Sequence, residues 1–179
     1  MAEQKFGPRR SRAPRKPWPE CPNVVIYRCY QCSRLYQGMD FTMPSQIPAC
    51  CGKPMERLIP QPAEDVSPEI TVDYQIVGGF NDNAVEVFWE TKQPEDNPEW
   101  ILLKTFTGGY IKYVTPKKKP PIIFPLADED AYAYCDESPC LQCVFRCKRG
   151  FVIYLYIKTK GLIEVPLEKM SAQYNRNKK

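Results

Sequence analysis

Nine cysteines and no histidine in 179 residues confine the site chemistry of this chain largely to sulfur. Cys29 and Cys32 form a Cys-x2-Cys pair, and Cys50 and Cys51 follow as adjacent thiols in Ala49-Cys50-Cys51-Gly52-Lys53-Pro54-Met55. The first pair straddles a tight knuckle and the second arrives from a returning strand, so the four can close a tetrathiolate cage around one ion. Zinc and a single iron both suit four sulfurs, and the ligands alone do not choose between them. Gly52 lets the chain turn closely past the ion. Further on, Cys135, Cys140, Cys143 and Cys147 make a Cys-x4-Cys-x2-Cys-x3-Cys cluster. A second four-cysteine zinc site, an iron–sulfur cluster, and redox-active or simply buried thiols are all open readings there. Arg146, Lys148 and Arg149 lie beside these thiols in sequence and favour thiolate over thiol. Cys21 belongs to neither set.

The missing imidazole removes the usual general base near neutral pH, the Cys/His and Ser/His nucleophile pairs, and nitrogen ligands for a metal. No glycine-rich phosphate loop is present. Asp128-Glu129-Asp130 reads as a solvated turn, and Lys117-Lys118-Lys119 as a charged hairpin tip with a possible phosphate contact. The balance leans against an enzyme.

The elements that would hold the thiols follow from composition and period. Residues 1–20 carry Arg9, Arg10, Arg12, Arg15 and Lys16 among four prolines and have a net charge of +4; residues 168–179 add +3. Taking both from the total of +4 leaves the body at −3. Both termini read as disordered basic tails suited to a polyanion, either nucleic acid or an acidic protein surface. Residues 21–58 form the cysteine module, too small to fold without its ion. Residues 59–68, with their prolines and acids, read as a semi-rigid linker. Beyond it the apolar residues recur with period two, as at Ile70, Val72, Tyr74 and Ile76. Similar runs follow at residues 84–89, 100–106, 110–114, 121–126, 131–135, 151–158 and 162–165, separated by Gly-rich turns. They predict an all-β fold in which an antiparallel, immunoglobulin-like β-sandwich spans residues 69–167. The longest apolar run, residues 151–157, is seven residues, short of the roughly twenty that cross a bilayer. No apolar leader precedes the body, so reduced thiols and a cytoplasmic location are expected.

Tyr27-Arg28-Cys29-Tyr30-Gln31-Cys32 and Cys50-Cys51-Gly52-Lys53-Pro54-Met55 resemble the motif of desulforedoxin and of the N-terminal domain of desulfoferrodoxin over about residues 25–58. In that family the site holds an iron that shuttles one electron. Glu99 to Leu103, Gly109 to Pro116 and Ala131 to Cys135 are similar, more weakly, to the strand order of the superoxide reductase β-sandwich. The resemblance would make Cys135 an axial iron ligand. It also requires four histidines, one of them three residues after that cysteine, where this chain has Ser138. Superoxide reductase activity is therefore not expected.

Two functions follow as expectations. One is a non-catalytic metal-binding protein, pinned by tetracysteine zinc or iron sites, whose basic tails contact nucleic acid or an acidic partner in a larger complex. The other is a rubredoxin-type iron protein that passes electrons to a redox partner.

Overall fold

A strand buried on both faces has no polar side to offer, and β1 (Asn23–Arg28), in which Val25 to Arg28 are all buried, is such a strand. The computed structural model describes residues 23–40, 46–78, 83–127, 130–131, 148 and 150–167. Around β1 the front module adds β2 (Leu35–Asp40), β3 (Ala49–Cys50), β4 (Lys53–Pro54) and β5 (Glu56–Arg57). After it come β6 (Pro60–Pro62), α1 (Ala63–Val66), β7 (Ile70–Val77), β8 (Ala84–Thr91), β9 (Trp100–Lys104), β10 (Gly109–Tyr113), β11 (Ile122–Pro125), β12 (Val152–Ile157) and β13 (Gly161–Pro166). The fold is all-β apart from single short helical turns among the described residues.

The sandwich has a five-stranded sheet in the order β10-β9-β12-β13-β6 and a three-stranded sheet β11-β8-β7. Every pairing in it is antiparallel except β13 with β6. Alternate residues of both sheets meet in the core: Val85 and Val87 from β8, Ile101 and Leu103 from β9, Phe124 from β11, and Ile153, Leu155 and Ile157 from β12. Phe106 and Phe151 pack edge to face at 4.9 Å beside Gly150, whose φ of +94° and contact with Phe106 leave no room for a Cβ.

The other face of the five-stranded sheet is also apolar. Trp100 and Leu102 of β9, Tyr156 of β12 and Leu162 of β13 form a second cluster with Ile26 of β1, flanked by Val24, Leu35 and Leu58. The front module thus covers the outer face of this sheet over β9, β12 and β13. Continuous apolar runs such as Trp100 to Leu103 and Phe151 to Ile157 are what a sheet covered on both sides requires.

Two expectations need correction, and others fall outside the described residues. Within residues 59–68, read as a linker, Pro60–Pro62 is an edge strand paired with residues 162–164, Gln61 Nε2 donates to the Lys160 carbonyl, and α1 places Val66 in the core. Proline is tolerated because an edge strand needs ladder donors on one side only. Asp130, read as part of a solvated turn, is 1% exposed and accepts hydrogen bonds from Thr107 N (3.2 Å) and Thr107 Oγ1 (2.6 Å). Its carboxylate is an internal acceptor that orders the loop after β9. Residues 132–135 of the strand expected at 131–135, the basic tails and Cys21 lie outside the described residues. Lys148 is buried, and its ammonium donates to the Ala131 carbonyl at 2.8 Å. No helix among the described residues is long and apolar enough to cross a membrane.

Candidate metal centre

Period two along β1 divides its work. Val25 and Tyr27 point to the same side as Cys29 and pack with Met55 and Cys50, while Ile26 packs on the sandwich. At the end of β1 the chain makes its first knuckle: Cys29 N donates to the Arg34 carbonyl at 2.9 Å and Ser33 N donates to the Cys29 carbonyl at 2.8 Å. Ser33 completes the turn with φ +59°. These bonds hold Cys29 and Cys32 on one lip.

The second knuckle is a two-residue hairpin between β3 and β4, in which Cys50 pairs with Lys53. Its central residues, Cys51 (φ +51°) and Gly52 (φ +73°), are both left-handed, the arrangement that matches the twist of a tight hairpin. Glycine adopts it freely, but cysteine does so at a cost of about 1–2 kcal/mol. Backbone strain held at a particular side chain is a signature of a functional position. Met55 N donates to the Pro48 carbonyl at 2.8 Å and closes the hairpin base.

The two knuckles bring the sulfurs of Cys29, Cys32, Cys50 and Cys51 within 4.8 Å of one another. Cys32 and Cys50 are 3.6 Å apart, Cys50 and Cys51 3.8 Å. Bonds of about 2.3 Å to a tetrahedral ion separate sulfurs by roughly 3.8 Å, so the residues fit such a group. Cys29 is buried, Cys50 intermediate, and Cys32 and Cys51 are exposed. The Cys29 thiol is lowered to about 7, chiefly because the Cys32 backbone amide bonds its sulfur. Cys51 is pushed up to about 12 and Cys50 is raised, in both cases first by hydrogen bonding to the Cys32 sulfur. Cys29 is thus the readier to ionise, and a cation bound here would displace the protons favoured on Cys50 and Cys51.

Arg28 ties this centre to the sandwich. It is 7% exposed, donates to Ser33 Oγ at 3.3 Å, lies 3.9 Å from the Glu99 carboxylate, and sits 4.7 Å over the Tyr156 ring. Tyr156 in turn stacks on Trp100 at 5.2 Å. From the sequence, Arg28, Glu99 and Trp100 entered only as parts of the family resemblance, without this role, and Tyr156 only within an apolar run; the available signal was a cation in a β-branched strand immediately before a ligand. Of the expected site residues, the first quartet is brought together. Cys135, Cys140, Cys143 and Cys147, with Arg9, Arg10, Arg12, Arg15 and Lys16, lie outside the described residues.

A β-sandwich with a tetracysteine module docked on one sheet is the class defined by these features. No family model and no curated protein matches the chain. Among solved structures it is similar to the superoxide reductase from Treponema pallidum, with a TM-score of 0.52 and 15% sequence identity over 80% of this chain and 98% of that one. At this identity the likeness is one of fold.

Proposed function

We propose that this chain is a metal-held binding or assembly protein whose ion fixes the front module on the sandwich and whose basic tails contact nucleic acid. The observation that carries the metal is the convergence of four sulfurs from two knuckles, one of them strained at a ligand. Cys29, Cys32, Cys50 and Cys51 would hold the ion; a structural tetrathiolate zinc adds cross-linking and no redox chemistry. A non-catalytic role is supported by the chain's own composition. The similar solved structure is a superoxide reductase, but the iron centre that the resemblance implies needs histidines, and this chain has none. The tails are the motive for nucleic acid, with +7 between them against a body of −3.

Metal analysis of protein purified without oxygen tests the first part: Cys32→Ser/Cys51→Ser should carry one ion fewer than the wild type, and equal content refutes the site. Deleting residues 1–18 should weaken binding to an oligonucleotide and flatten its salt dependence; unchanged affinity refutes the tails' role. One observation favours the second reading, iron electron transfer: Cys32 and Cys51 face solvent, which gives a partner short access to the centre. That reading requires thiolate-to-iron absorption bands that bleach on reduction, and colourless, zinc-loaded protein excludes it.

A further inference from the structure

Tyr113 is 75% exposed, more than any other large hydrophobic residue among those described. The register of β10 on β9 pairs Tyr113 with Trp100 and Ile111 with Leu102, so both lie on the outer face of the five-stranded sheet. There Trp100 and Leu102 are covered by the front module, while Ile111 remains 39% exposed beside Tyr113. Tyr113 and Ile111 thus leave aromatic and aliphatic surface open at the margin of the covered face, available for a partner to bury.

The chain leaves β10 directly into Thr115-Pro116-Lys117-Lys118-Lys119-Pro120, a turn in which Lys118 N donates to the Thr115 carbonyl at 2.8 Å. All three lysines are exposed and none forms an ion pair with a described residue. Pro116 and Pro120 restrict the backbone on either side of the three consecutive lysines. Lys112 belongs to the structure instead, since its ammonium donates to the Ile123 carbonyl at 2.6 Å over the Phe124 ring. The concentration of positive charge on this turn stands out because the body as a whole is acidic.

We infer that Tyr113 and Ile111 with Lys117, Lys118 and Lys119 form a docking surface for single-stranded nucleic acid, a base stacking on the Tyr113 ring while the lysines meet the adjoining phosphates. The inference rests on the nucleic-acid reading proposed above but places a contact in the folded body instead of the tails. An exposed ring followed within a few residues by a run of exposed cations suits an unpaired base and its backbone, because every base offers a π-face and every nucleotide a charge. An acidic peptide supplies the charge but nothing that requires the ring.

The test is fluorescence anisotropy of the full-length, metal-loaded chain with a labelled single-stranded oligonucleotide. Tyr113→Ala should weaken binding about tenfold and Tyr113→Phe should leave it nearly unchanged. Replacing Lys117, Lys118 and Lys119 together by Gln should lower the slope of log affinity against log salt by about 2. An abasic strand should bind wild type and Tyr113→Ala alike. All these positions are exposed, and an unchanged melting temperature shows that the variants fold. The proposal is overturned by absence of binding to the wild type, by variants that bind like the wild type, or by a poly-glutamate peptide that competes as well as the oligonucleotide. Combined with deletion of residues 1–18, the variants separate the two readings: if only the deletion weakens binding, the platform fails, and if only the platform variants do, the tails fail.

Discussion

Leu102 and Leu103 are neighbours on β9, both fully buried, yet they point into different clusters: Leu103 into the sandwich core, Leu102 into the cluster beneath the front module. Truncating each to alanine measures whether the module is docked. A buried Leu→Ala change costs about 2–5 kcal/mol, from lost transfer energy and the cavity left behind, whereas a surface position costs within about 0.5 kcal/mol. In a chain of this size 1 kcal/mol moves the thermal midpoint by about 2–4 °C. Both variants should therefore melt about 4–20 °C below the wild type. The assay is thermal denaturation of metal-loaded protein followed by tryptophan fluorescence, with cobalt absorbance reporting the cysteine site. Both variants should still load the ion at low temperature, because the ligands lie across β1 from Ile26. If Leu103→Ala melts early while Leu102→Ala melts with the wild type, the outer face is not covered and the account of β1 as a strand buried on both faces is wrong.

Cys51→Gly relaxes a left-handed cysteine but removes a sulfur; the ion should pass to a chelator far sooner than from the wild type, and a slower transfer would show that the turn alone matters. Arg28→Lys keeps the charge and loses the guanidinium plane over Tyr156, so urea unfolding should report a loss of about 1–2 kcal/mol; no loss would leave Arg28 without a bridging role. Asp130→Ala abolishes the acceptor for Thr107, with an expected cost of about 1.5–3 kcal/mol in the same assay. Gly150→Ala combines positive φ with a Cβ 2.9 Å from the Phe106 ring and should cost more than about 1 kcal/mol; a neutral result would mean that Phe106 moves aside freely.

The strands of the three-stranded sheet were legible because each has one face on a core, and alternation at Ile70 to Ile76 records that directly. The quartet was legible because thiol spacing is set by knuckle geometry, which is local. What was hidden depends on contacts far apart in sequence. Pro60-Gln61-Pro62 looks like a spacer because proline resists sheet, and only the arrival of residues 162–164 makes it an edge strand. Asp130 looks solvated until Thr107 is placed beside it. Arg28 has no local sign that Tyr156 lies beneath it. The docking of the module on β9 and β12 was likewise invisible, since an apolar run does not say whether one neighbour covers it or two.

The parallel strand at the margin of the larger sheet has a consequence for behaviour at high concentration. Of its three residues only Gln61 possesses an amide hydrogen, so another chain seeking to extend the ladder there meets a border nearly empty of donors. Fibril growth, which needs an uninterrupted template, is denied a start along that side.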